Sequence, residues 1–127
     1  VIGGNRNFRS PTKEKKMAKN NTAKGSRWRK KCQTFLEELR FHCTPRPWME
    51  KGDDITASAH WVELSVEAKD HKRVRVWEFI DQAIGNATPL QVPVVMAKRE
   101  GHTEPEDALV IMTGAGFATL LKSARDD

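Results

Sequence analysis

A chain of 127 residues with 38% hydrophobic content and a mean hydropathy of −0.66 is sized for one domain and holds too little apolar sequence to pack all of itself. The formal charge of +5 is unevenly placed: residues 1–31 carry eleven Lys and Arg against one acid, Glu14, a net of +10, which leaves −5 on the other 96 residues. A basic arm on an acidic body points to a polyanionic partner such as nucleic acid, and away from a membrane surface, because the arm has no apolar stripe.

No apolar run approaches the ~18–20 residues of a transmembrane helix. The N-terminal stretch has no apolar core of the kind a signal peptide needs. Cys32 and Cys43 stand in no metal-ligand pattern, so two free thiols in an intracellular protein are expected.

Residues 1–24 are rich in Lys, Arg, Asn, Thr and Gly and read as a disordered basic arm. Met17 opens "MAKNNTAKGS" like a natural start, so residues 1–16 read as an upstream extension or an expression remnant. The domain proper is 25–127. Ser26 is the expected N-cap of a first helix, with Trp28, Cys32, Phe35, Leu36 and Leu39 as its apolar stripe and the two prolines of "TPRPW" as its end. "GDDITASAHWVELSVEAKD" reads as a β-hairpin: Ile55 to Ala57, a turn at Ser58–His60, then Trp61 to Lys69. "KRVRVWEFIDQAIGNA" passes through a basic loop into a helix whose expected buried stripe is Trp77, Ile80, Ala83 and Ile84, with a stop at Gly85–Asn86. "LQVPVVMAKRE" and "DALVIMTGA" read as strands, and "GFATLLKSA" as a last helix. The order is αββαββα, an α/β domain with a small mixed sheet flanked by helices. The middle helix can cross over between parallel strands.

The strand "VELSVEAKD" alternates Val62, Leu64, Val66 and Ala68 with Glu63, Ser65, Glu67 and Lys69. Two positions apart, Glu67 and Lys69 lie about 6–7 Å from each other on one face. Asp54 reaches the same place from the adjoining strand. Two carboxylates converging there repel unless they are protonated or bridged by a cation. Oxygen donors of this kind suit Mg²⁺ or Mn²⁺ better than Zn²⁺. Alone, the pattern also fits a solvated sheet face carrying a Glu–Lys pair.

Asp54, then Glu67-x-Lys69 across a hairpin, resembles the motif of the PD-(D/E)XK nuclease superfamily. The likeness extends to "KGS" opening the first helix, "GDDI" opening the first strand, the basic loop and helix with Gln82, and the last strands "VPVVMAKREG" and "VIMTGAGFATLL". This order, over residues 24–122, looks like the Holliday junction resolvase branch carried by archaea and some phages. The resemblance implies a restriction-endonuclease-like fold and a Mg²⁺- or Mn²⁺-dependent cut in branched DNA. It also implies a homodimer, because resolution takes two symmetric cuts, and a place in the cytoplasm of a prokaryotic cell or phage host.

Carried over by residue, the resemblance makes Asp54 and Glu67 metal ligands, adds the Ala68 backbone carbonyl, makes Lys69 the catalytic lysine and gives Gln82 a supporting role. Asp53 stands where the family has proline. The chain departs from the pattern at Arg29, where such resolvases carry a helix glutamate. Glu37 and Glu38 lie about 12 Å further along the axis, too far to replace it without a shifted helix; Glu63, on the Glu67 face, is the other candidate, and Asp53 a further one. Expected DNA contacts are Lys24 at the end of the basic arm, Arg27, Arg29, Lys30 and Lys31 just beyond it, and Lys72, Arg73 and Arg75 after the site. Trp48 and Trp61 are candidate base-stacking residues or core. The rival functions are a nuclease for nicked, flap or linear DNA, and a DNA-binding protein with a degenerate nuclease core.

Overall fold

The computed structural model describes residues 13–46 and 53–126, with the side chains of 24–46 and 53–125. In chain order these are α1 (Lys13–Glu38), β1 (His42–Pro45), β2 (Ile55–Ala59), β3 (Val62–Lys69), α2 (Val76–Asn86), β4 (Val92–Ala97), β5 (Leu109–Ile111) and α3 (Gly114–Asp126). A short 3₁₀ turn, Pro105–Asp107, precedes β5. The five strands form one sheet in the order β1-β2-β3-β4-β5. Only β3 and β4 pair in parallel, and α2 makes the crossover between them, as expected. The chain is therefore an α/β protein with a mixed sheet flanked by helices.

Three features differ from expectation. First, α1 starts at Lys13 rather than after Ser26, so residues 13–24 of the stretch expected to be disordered continue the helix. "KEKKMAK" is made of strong helix formers, and no proline follows Pro11 until β1. Residues 1–12 lie outside the described residues.

Second, α1 ends ahead of the prolines. Arg40 takes a left-handed φ of 75°, its N–H donates to Glu37 O, and Phe41 N–H donates to Leu36 O. That is a Schellman cap with arginine where glycine is usual. The residues beyond it form β1, an unexpected strand pairing antiparallel with β2 through Cys43↔Ala57 and Pro45↔Ile55. A proline is tolerated there because β1 is an edge strand.

Third, α2 buries Phe79, Ile80 and Ala83, whereas Trp77 is 80% exposed and Ile84 46%. The helix carries apolar residues around much of its circumference, so sequence alone does not fix which stripe meets the sheet. It also runs through Gly85 and Asn86 to a cap at Ala87.

The core lies on both faces of the sheet. Trp28, Cys32 and Leu36 of α1 pack on Ile55, Leu64, Val66, Val94 and Met96. On the opposite face Phe79, Ile80 and Ala83 of α2 pack on Val95 and Ala97. β4 is thus apolar on both sides, the pattern of a parallel strand covered twice. Trp28 Nε1 donates to Met96 O at 3.1 Å and so locks α1 to β4. Gly116 is where α3 comes closest to the sheet: a Cβ there would meet Val92 Cγ1 at 3.1 Å. Cys32 and Cys43 are free and buried. Among the described residues no helix is long and apolar enough to cross a membrane.

Candidate functional site

The register Ile55↔Val66, continued by one residue, sets Asp54 opposite Glu67. Both belong to the α2 side of the sheet, where β2 and β3 present Thr56, Ser58, Glu63, Ser65, Glu67 and Lys69. The centre of this face is closed to solvent, with Glu67 1% exposed and Ser65 0%, while Thr56, Ser58, Glu63 and Lys69 around it are half-buried. Ser65 Oγ is the one buried side-chain polar atom without a hydrogen-bond partner among the described residues.

Each site group is held by a specific contact. Ala68 N–H donates to Asp54 Oδ2 at 2.8 Å. Asn86 Nδ2 donates to Glu67 Oε2 at 3.0 Å. Lys69 Nζ donates to Gln82 Oε1 at 2.6 Å, stands 3.9 Å from Glu67 Oε1, and lies 5.3 Å from the centroid of the Phe79 ring. Gln82 and Asn86 are one helical turn apart, so α2 presents two amides to the strand and fixes the acid and the amine together. Asp54 Oδ1 has no hydrogen-bond donor among the described residues, and Glu67 Oε1 has only the long contact to Lys69.

The electrostatics follow from this crowding. Burial, then the Asp54 charge, push Glu67 up to about 7, against the opposing pull of Asn86 and Lys69. Burial also raises Asp54, while the Ala68 N–H, Lys69 and Arg29 pull it back. Such a pair resists double ionisation unless a cation joins it. Two hard oxygen donors with unsatisfied lone pairs fit Mg²⁺ or Mn²⁺, which take one or two protein carboxylates and fill the remaining positions with water or substrate oxygens. Among the described residues no cluster of three or more His, Cys, Asp or Glu is placed to bind a metal, and Asp54 and Glu67 are the two carboxylates that meet here.

The structure brings together Asp54, Glu67, Lys69 and Gln82, with Ala68 between the two strand residues. Asp53 and Glu63 are engaged elsewhere. Asp53 is buried, accepts from Thr56 Oγ1 at 2.7 Å, and pairs with Arg46 at 3.3 Å. Glu63 accepts from Gln91 Nε2 at 2.6 Å and from Ser58 Oγ at 3.2 Å. Arg29 donates through Nη1 to Arg46 O at 3.4 Å, and its charge reaches Asp54. The helix position that carries a glutamate in the resembled family thus holds a cation near the site.

Asn86 and Phe79 were not foreseen in the sequence. The i,i+4 spacing of Gln82 and Asn86 around buried Ala83 is the signal that points to Asn86.

The expected DNA contacts divide into two groups. Lys24 pairs with Asp70 at 3.4 Å, and Lys31 pairs with Glu104 at 3.2 Å. Arg27 and Lys30 are exposed, as are Lys72, Arg73 and Arg75 beyond β3. Arg75 pairs with Glu78 at 3.4 Å on the surface. Trp61 packs against Phe41, ring centroids 5.9 Å apart, as part of the core edge. Trp48 lies outside the described residues. No protein-family profile matches the chain, and no curated protein matches it.

Proposed function

We propose that this protein is a metal-dependent DNA endonuclease of restriction-endonuclease-like fold that hydrolyses phosphodiester bonds in branched DNA, with the four-way junction as first substrate. The observation that carries the reading is the carboxylate pair of half-buried Asp54 and buried Glu67, placed across two strands beside Lys69. A structural ion pair does not need two carboxylates. Bringing a second carboxylate against a buried one carries a free-energy cost, and a divalent cation offsets it.

Asp54 and Glu67 would hold Mg²⁺ or Mn²⁺, and the bound ion would lower the pKa of coordinated water and offset charge on the phosphate. Asn86 orients Glu67, and the Ala68 N–H orients Asp54. In-line attack of water on phosphorus builds negative charge on the phosphoryl oxygens. Lys69, held by Gln82 over the Phe79 ring, supplies a fixed ammonium for that charge. Arg27, Lys30, Lys72 and Arg73 would contact the DNA backbone. Such contacts give affinity without sequence selection and make it fall steeply with salt. Two symmetric cuts call for a homodimer.

One observation favours a second reading, a DNA-binding protein with a degenerate nuclease core. Arg29 places a guanidinium near Asp54, where it competes with a metal ion. The test is cleavage of labelled four-way junction, flap, nicked and linear duplex DNA with Mg²⁺, by the wild type and by Lys69→Ala. Junction cleavage by the wild type, lost in the variant with binding retained, supports the proposal. Binding without cleavage in Mg²⁺ and Mn²⁺ supports the second reading.

A further inference from the structure

Trp77 is the largest exposed aromatic side chain among the described residues, at 80%, and it stands in the first turn of α2. The helix does not need it for packing, because Phe79, Ile80 and Ala83 already fill the sheet side. A tryptophan buries ~150–250 Å² when it finds a partner, so leaving it in water forgoes a large apolar gain.

Its surroundings say what the partner is. Lys72, Arg73 and Arg75, all exposed, lead directly into this turn, and the loop 71–75 holds no carboxylate. Lys72 and Arg73 have no partner among the described residues, and Glu78, the nearest acid on the helix, is taken by Arg75. Asp81, one turn on, is the other exposed acid on this side. An exposed aromatic ring that directly follows a run of exposed cations in the chain complements a ligand that is both flat and anionic. The same helix reaches the candidate site: Gln82, which holds Lys69, is five residues on, about 7.5 Å along the axis.

We propose that Trp77 is a stacking platform for an unpaired nucleobase of the DNA, with Lys72 and Arg73 gripping the phosphates on either side. The inference rests on the proposed DNA-cleaving function and adds to it a preference for substrates with unstacked bases. Every base has a π-face, so the platform selects for single-stranded character rather than sequence.

The experiment measures anisotropy of fluorescein-labelled oligo-dT, four-way junction and blunt duplex with the full chain in EDTA, for the wild type, Trp77→Ala and Trp77→Phe. Circular dichroism confirms that the variants fold. Trp77→Ala weakens oligo-dT and junction binding by about fivefold or more, leaves duplex binding within about twofold, and Trp77→Phe recovers most of the loss. Unchanged binding of all three DNAs by Trp77→Ala overturns the inference while the proposed function stands. So does an equal loss on duplex. Unchanged DNA binding with a shift from dimer to monomer in sedimentation also overturns it, and assigns Trp77 to a contact between copies. A wild type that binds none of the three DNAs overturns both the inference and the proposed function.

Discussion

The two faces of β3 are both buried at mid-strand and differ in nearly everything else. Val66 is 0% exposed and Glu67, the next residue, is 1%. Val66 meets α1-side packing of Ile55, Val94 and Met96. Glu67 meets another carboxylate, an amide and an ammonium. Apolar burial at the first face contributes to stability. Burial at the second opposes it, because an ionised carboxylate loses its hydration and its partners restore only part of that loss. That imbalance is the reason to read the second face as a candidate site.

Removing an apolar side chain from the first face and removing a charge from the second should therefore act with opposite signs. On the α1 side, Ile55→Ala leaves a cavity under α1 and should cost about 2–5 kcal/mol by urea denaturation. On the α2 side, the folded state raises Glu67 from its ordinary 4.5 to about 7. Between these values the folded chain binds more protons than the unfolded one, so stability falls as pH rises from about 4.5 to about 7 and then levels. Glu67→Gln removes the charge and should gain up to about 3 kcal/mol at pH 8, with almost no gain at pH 4, while cleavage is lost. A loss of stability at pH 8 would place Glu67 in an ordinary structural ion pair.

Two smaller effects sharpen the contrast. Asn86→Ala removes a donor to Glu67, so it should cost about 0.5–1.5 kcal/mol and move the alkaline rise of the pH–rate profile to higher pH. Arg40→Gly touches neither face and relieves the positive φ at the end of α1. A gain of about 0.5–1 kcal/mol, with unchanged cleavage, is expected from thermal melts.

The same contrast explains what the sequence made legible. Strict alternation in 62–69 located both faces of β3, and the spacing of Asp54 and Glu67-x-Lys69 located three side chains that the fold brings together. Alternation says which residues share a face, but not what covers that face. The sheet surface that could have been solvated is closed off at Ser65 and Glu67, and only tertiary packing decides that. α2 shows the limit from the other side. Val76, Trp77, Phe79, Ile80, Ala83 and Ile84 offer more than one apolar stripe, and the β3–β4 crossover selected Phe79, Ile80 and Ala83. That choice turned Trp77 outward and brought Gln82 and Asn86 over the strand. β1 was missed because four residues with a terminal proline carry too little periodicity. The cap at Arg40 was missed because arginine gives no signal for positive φ.

The central claim is that Asp54 and Glu67 together hold a divalent cation. It is tested most directly by titrating Mg²⁺ and Mn²⁺ into the DNA-free chain by calorimetry at pH 6 and pH 8, for the wild type, Asp54→Asn and Glu67→Gln. Since a proton competes with the ion at Glu67, the wild type should bind more tightly at pH 8, release protons on binding at pH 6, and lose this binding in either variant. Binding of equal strength in all three proteins, or none in the wild type at pH 8, would contradict the claim.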